Sequence, residues 1–363
     1  MSALCWRLLA AWRLARRGGY RVARSPMPAA PSRPVRPIRV GLLGAGAMGA
    51  EHAFCYGQME GVRVAKVFSR SLDRAEAIAR PIGAEPVDEA LAVIADPSLD
   101  AVDVCLPTPA HAAFVLAALE AGKHVFCETP LTLDQGQGAR MRQAARDAGR
   151  LLQVGLLMRS ITACRFVKDA AESGEFGRLI HVTTHRLGSY LRSEAPDHKD
   201  HYSDPTTELM TFDLDFVGWL LGRPVEVSAI SGAWRGTDGE VSAHLKYGDG
   251  RGATVLASGM MPASFPFTTG FRAVFESAAI ASETVISDGH FSGGTRLFLG
   301  GAAVEPDLPP RNPYQVELER FASCIRGEAD ADLLDVDRAL EALTLSKAIQ
   351  TSLREQRWVA TAG

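Results

Sequence analysis

The chain has 363 residues, 47% of them apolar, with 39 basic against 42 acidic side chains and a formal net charge of −3. That length exceeds one ordinary core and asks for two domains, and the charge balance excludes the broad basic field that nucleic-acid binding needs. No apolar run approaches the roughly 18 residues of a membrane span, and the six cysteines form no CxxC pair, so a reducing, cytoplasmic setting is expected without a zinc knuckle or disulfide framework.

In chain order, residues 1–37 are rich in arginine and alanine, and no acid precedes Glu51. Two explanations fit such a leader: a mitochondrial transit peptide, or an extension ahead of a translation start at Met27. In both, Pro31, Pro34 and Pro37 predict a disordered lead-in outside the core. From Ile38 onward strand, turn and helix alternate: IRVGLLGAG, a helix from Met48, VRVAKVFS, the helical SLDRAEAIAR, then DAVDVCLP and HVFCE on either side of the helix AHAAFVLAALEAG, and LLQVGLL at 151–157. Alternation of this kind predicts an α/β fold whose first domain, 38–157, is a doubly wound parallel sheet. Past Met158 come one helix, the strand RLIHVTTHRLG, a polar loop and a second helix. A run of strands from Val225 to about Ile286 follows, joined by turns such as YGDGRG, with two closing helices near 314–326 and 336–350. Residues 158–363 are therefore expected to form an α+β domain with a large open, mostly antiparallel sheet.

Gly44, Gly46 and Gly49 form a GxGxxG fingerprint between the first strand and its helix, with Ala47 and Met48 at the helix N-terminus. This spacing suits a tight turn, a close approach of pyrophosphate to the backbone, and phosphates facing the helix N-terminus. After the second strand, where a carboxylate would read the ribose of NAD, stand Ser69 and Arg70; a hydroxyl beside a guanidinium suits a 2′-phosphate, so NADP is favoured over NAD. Leu106, Pro107, Thr108 and His111 occupy the carboxyl end of the strand DAVDVCLP, the edge where ligands bind. Thr108 and His111 can reach the nicotinamide end, or Thr108 can serve as a helix cap ahead of Pro109.

The ordered stretches GLLGAGAMG, CLPTPAH, AGKHVFCETPL, SGEFGRLIHV and DFVGWLLG, across about Arg39 to Val359, make the chain resemble the glucose-fructose oxidoreductase, inositol dehydrogenase and MocA (Gfo/Idh/MocA) family. The resemblance implies a Rossmann domain followed by an open-sheet domain that carries substrate and the homodimer or homotetramer interface. It also implies hydride transfer between NAD or NADP and a sugar, inositol or related polyol or keto-sugar. Where the family usually has Glu-Lys-Pro, this chain has Glu128, Thr129 and Pro130; where a helix usually carries an aspartate and then a histidine, it has Glu208 and Phe212. Phenylalanine cannot exchange a proton, so the catalytic candidates become Thr129, Glu208, and His201 and Tyr202 of the loop PDHKDHYSDPTTE, with Glu128 at the cofactor. The carboxylates and histidines of that loop could also resemble a metal site, but loop clusters are more often solvated and no metal is expected. A dinucleotide-binding sensor or regulatory protein that has lost turnover is the alternative.

Overall fold

The computed structural model describes residues 36–189, 191, 204–234, 237–287 and 290–361. Parallel strands covered on both faces must be apolar along their length, and the first strand shows this: in β1 (Ile38–Leu43) every residue but Arg39 is buried. It is followed by α1 (Ala47–Gly57), β2 (Val62–Phe68), α2 (Leu72–Ile82) and β3 (Glu85–Val87). Then come α3 (Ala90–Ile94), β4 (Ala101–Val104), α4 (Thr108–Glu120), β5 (His124–Cys127), α5 (Gln135–Ala148) and β6 (Leu152–Val154). The six strands form one parallel sheet in the order β3-β2-β1-β4-β5-β6. β1 and β4 are therefore neighbours whose connections leave in opposite directions, the switch point at which such sheets bind ligands.

The chain divides into two compact units, one running to Ile161 and including Arg311–Thr344, the other Thr162–Pro310 together with the chain from Leu345 onward. The sequence alone places all of 158–363 in the second domain. Segment 311–344 instead joins the first unit because α9 (Pro313–Ile325) and the residues after it carry Leu318, Phe321, Ala322, Leu334 and Val336 into that unit's core. Phe321 meets Phe126 there at 5.6 Å between ring centroids. The last helix, α10 (Val336–Glu355), belongs to the first unit as far as Thr344.

The second unit opens with α6 (Thr162–Ser173), β7 (Leu179–Leu187), the single turn α7 (Pro205–Glu208) and α8 (Met210–Leu221). Strands β8 (Glu226–Trp234), β9 (Thr237–Lys246), β10 (Gly252–Ser258), β11 (Phe267–Phe275), β12 (Ala278–Ser287), β13 (His290–Leu299), β14 (Ala302–Val304) and β15 (Val359–Ala360) complete it. Its nine-stranded sheet runs β14-β13-β12-β11-β7-β10-β9-β8-β15, antiparallel except where β7 meets β10. The mixed, mostly antiparallel sheet agrees with the alternation read from Val225 onward. Strand β13 (HFSGGTRLFL) escapes sequence reading because it is exposed along most of its length and has no apolar alternation. Residues 182, 184 and 186 of β7 and 241, 243 and 245 of β9 point to the covered face, against which α8 is almost wholly buried. The register puts Ile230, Ser242, Leu256, His185 and Glu283 in one row on the other face, where Ile230 is 71% exposed.

Candidate functional site

The three glycines of the fingerprint do different work. Gly44 has φ +122°, and a Cβ there would stand 2.3 Å from the carbonyl oxygen of Cys105; a Cβ on Gly49 would stand 2.0 Å from the carbonyl oxygen of Gly44. These two glycines close the strand–turn–helix junction on itself. A Cβ on Gly46 would meet nothing within 4 Å, and Gly46 is the N-cap of α1 with no side-chain cap. Since the first amides of a helix lack intrahelical partners, the open space over Gly46, Ala47 and Met48 is a cradle that fits the pyrophosphate of a dinucleotide.

Around this cradle the other predicted cofactor residues are distributed at the carboxyl ends of the strands. Ser69 follows β2; its amide donates to the carbonyl of Val87 and its hydroxyl accepts from the Ser71 amide at 3.2 Å. Arg70 is exposed and has no ion-pair partner among the described residues, free to meet a charged group on a ligand. Pro107 is the N-cap of α4 and Thr108 its first residue, so Thr108 is not the cap. His111, one turn into α4, is buried and has Nε2 2.6 Å from the carbonyl of Leu106 and Nδ1 3.0 Å from that of Pro130. Each nitrogen thus lies against a backbone carbonyl, and since burial lowers its pKa, the neutral ring can donate to one of the two at a time.

Glu128 and Thr129 leave β5 ahead of a cis Thr129–Pro130 peptide. The Thr129 hydroxyl donates to the carbonyl of Gly155 at 2.7 Å, so its proton is committed and it can only accept from a ligand. Glu128 Oε2 accepts the Thr129 amide at 3.1 Å, and Oε1 lies 2.8 Å from Nε2 of His52, close enough for an ion pair although off the hydrogen-bonding line. Sequence reasoning missed what stands behind it: His52 of α1 and Asp103 of β4, both fully buried, joined by a 2.8 Å hydrogen bond between Nδ1 and Oδ2. The available signal was the carboxylate inside AVDV, a strand otherwise wholly apolar, because a buried charge demands a partner. The Cys105 thiol lies 3.4 Å from Asp103 Oδ1 and 3.2 Å from His52 Nδ1. Among the described residues His52, Asp103 and Cys105 are the one group whose donor atoms could surround a metal ion, yet they are already bonded to one another.

The second unit holds the remaining candidates. Asp204 caps α7: Oδ1 accepts from the Thr206 amide at 2.9 Å, and Oδ2 accepts from the Thr207 hydroxyl and the Gln350 amide. The metal-like pattern read around it in the sequence is thus, at Asp204, a capping arrangement. Glu208, at the end of that turn, is 5% exposed, and its Oε2 has no hydrogen-bond partner among the described residues. Burial first, and then the Asp204 carboxylate, push its pKa up to about 8. One turn further on, the Phe212 ring lies under the guanidinium of Arg186 at 4.7 Å, while Arg186 Nε donates to Asp213 Oδ2 at 2.8 Å. Arg186 was not singled out from sequence, since β7 and α8 are separated by the long polar loop. His201 and Tyr202, predicted as catalytic, lie outside the described residues.

With this geometry in place, comparison with known proteins is informative. Residues 38–156 match the Gfo/Idh/MocA oxidoreductase family, NAD-binding Rossmann fold, and 164–280 match the Gfo/Idh/MocA C-terminal domain. The chain is 32% identical over 333 residues to inositol 2-dehydrogenase 4 of Saccharopolyspora erythraea, covering 86% of this chain and 93% of that one. It is 26% identical over 325 residues to the scyllo-inositol 2-dehydrogenase (NAD(+)) of Bacillus subtilis, covering 82% and 89%. A crystal structure provisionally assigned as a myo-inositol dehydrogenase of Sinorhizobium meliloti 1021 superposes with a TM-score of 0.75 at 26% identity, covering 90% of this chain and all of that one.

Proposed function

Because the chain belongs to the Gfo/Idh/MocA family of oxidoreductases, we propose that it is a dehydrogenase acting on the carbinol of an inositol or related sugar polyol, with Glu208 as its proton donor and acceptor. The observation that carries this proposal is the buried Glu208 carboxyl, whose Oε2 has no hydrogen-bond partner among the described residues and whose pKa is raised to about 8. A bound nicotinamide dinucleotide supplies or takes the hydride. The chain must then move a proton to or from the substrate oxygen, which neither Phe212 nor a Thr129 hydroxyl committed to Gly155 can do. Protonated at neutral pH, Glu208 can give its proton to a carbonyl oxygen during reduction; ionised above about pH 8, it can take one during oxidation. Thr129, His201 and Tyr202 are the further residues proposed to act on the substrate. The test is to mix the protein with reduced dinucleotide and a panel of keto-inositols and keto-sugars and to follow nicotinamide absorbance. Retained dinucleotide binding with no turnover on any member would replace the dehydrogenase by a binding protein that has lost its chemistry.

NADP is the favoured cofactor, supported by Ser69 and the exposed Arg70 at the end of β2, which has no ion-pair partner among the described residues. Each charge-assisted hydrogen bond to a 2′-phosphate stabilises the complex by roughly 1.5–3 kcal/mol. Arg70→Asp is accordingly expected to erase or reverse the preference in dissociation constants by about tenfold or more. Tighter binding of NAD than NADP by the unaltered protein would rule this cofactor assignment out.

The open face of the nine-stranded sheet, which carries the exposed Ile230 of β8 next to its edge strand, is the surface on which a homodimer or homotetramer forms. Ile230→Lys is expected to lower the mass measured by light scattering while leaving the melting temperature nearly unchanged, because the side chain contributes little to the core of its own unit. The same mass before and after the change would move the interface elsewhere.

A further inference from the structure

We propose that His52 is a positioning residue: clamped by Asp103, it fixes the Glu128 carboxylate at the end of β5 for contact with a bound nicotinamide dinucleotide. This inference rests on the dinucleotide assignment made above.

Three elements contribute one group each, α1, β4 and the end of β5, and the imidazole stands between the two carboxylates with 2.8 Å to each. A neutral imidazole has one N–H and one lone pair. With a carboxylate oxygen on both sides, either neutral tautomer would set a lone pair near an anion, whereas the doubly protonated ring is hydrogen-bonded to Asp103 and paired by charge with Glu128. Asp103 lies fully inside the protein, where an uncompensated carboxylate would be costly; the imidazolium compensates it. Burial alone would lower the pKa of His52, but the neighbouring groups raise it well above its ordinary value. The Cys105 thiol beside the ring is itself raised by burial and stays neutral.

The other groups around the ring leave this charge pattern intact. From α1, the Cys55 thiol is pushed up to about 12 by burial, and the Tyr56 hydroxyl is raised by burial and by Asp103, so both stay neutral. From β5, Phe126 presents an edge at 5.7 Å, and from α9 Tyr314 stands at 6.1 Å. Glu128 is then held from two sides. His52 faces Oε1, while the Thr129 amide and the bare Cα of Gly155 face Oε2; a Cβ on Gly155 would come within 3.2 Å of that oxygen. Its side chain keeps 12% exposure, which is where a ligand would meet it. Orientation of a ligand-binding carboxylate by a second, buried pair is the arrangement that makes the outer partner matter nearly as much as the inner one.

The test uses the full chain and titrates NADPH and NADH by fluorescence. His52→Gln and Glu128→Gln are each expected to weaken binding by about tenfold, the worth of one charge-assisted hydrogen bond, and the double variant to be no weaker than either single one, because the two act as one unit. Nitrogen-15 spectra should show both His52 ring nitrogens protonated at pH 8, identified by the signals lost in His52→Gln, and Asp103→Asn should abolish that pattern and weaken binding comparably. Should His52→Gln fail to fold, the isosteric Asp103→Asn supplies the same two readouts. Unchanged binding in both variants, fully additive losses, or a neutral His52 ring would overturn the proposal. If the unaltered protein bound neither dinucleotide, the cofactor assignment itself would fall and this role for His52 with it, an outcome distinct from binding that is merely insensitive to His52.

Discussion

Glu208→Gln is expected to lower turnover at pH 7 by about 10²- to 10⁴-fold, the usual worth of general acid–base assistance, with little change in dinucleotide affinity. The glutamine keeps the shape of the side chain but cannot exchange a proton. In the unaltered protein, ketone reduction should fall as pH rises through about 8 and alcohol oxidation should rise over the same interval, because burial holds the carboxyl protonated up to that pH; in the variant both profiles should flatten. Stability carries the same signature. The folded-state pKa is raised from 4.5 to about 8, so the native state binds the proton more tightly than the unfolded chain. The stabilising contribution of this proton is full below 4.5, is lost progressively as pH rises, and is gone above about 8. Glu208→Gln should therefore melt progressively higher than the unaltered protein as pH is taken from 5 to 9. Undiminished turnover in the variant would remove Glu208 from the chemistry and turn attention to His201 and Tyr202.

Gly46→Val should reduce dinucleotide binding below detection while leaving the melting temperature nearly unchanged. Its Cβ enters space that nothing in the protein occupies, so the fold has no reason to resist it, whereas a branched side chain over the start of α1 blocks the approach of a pyrophosphate to the backbone. Gly49→Ala should behave in the opposite sense. Its Cβ would collide with the Gly44 carbonyl at 2.0 Å, and the forced backbone shift should cost about 1–3 kcal/mol of stability. Calorimetry with NADPH and thermal melting of both variants separate the two effects. Wild-type affinity in Gly46→Val would mean that no dinucleotide binds at this turn.

Much of the first unit was legible because its signals are local. The continuous apolar runs of β1, β4 and β5 announce a parallel sheet, and GxGxxG marks the turn that a ligand approaches. Glu208 and Phe212 were legible through a motif counted back from Trp219, which locates a position on a helix but says nothing of its surroundings. The raised pKa of Glu208 and the stacking of Arg186 on Phe212 needed the folded chain. His111 shows a related limit: a histidine at a ligand-binding edge suggests contact with the cofactor, but that its nitrogens lie against the carbonyls of Leu106 and Pro130 is decided by the fold.

By itself, then, the sequence determined the order of the elements with clear periodicity, the two kinds of sheet and the place of the glycine turn, since periodicity and turn chemistry act between residues close along the chain. Only the tertiary structure decided that residues 311–344 return to the first unit, because burial of Leu318 and Phe321 is settled by which surface they reach. It alone brought His52 to Asp103 across 51 positions and set Glu208 in an environment that keeps it protonated near neutral pH. Charges in a low-dielectric interior respond to whatever lies within a few ångströms, and those neighbours are chosen by the fold.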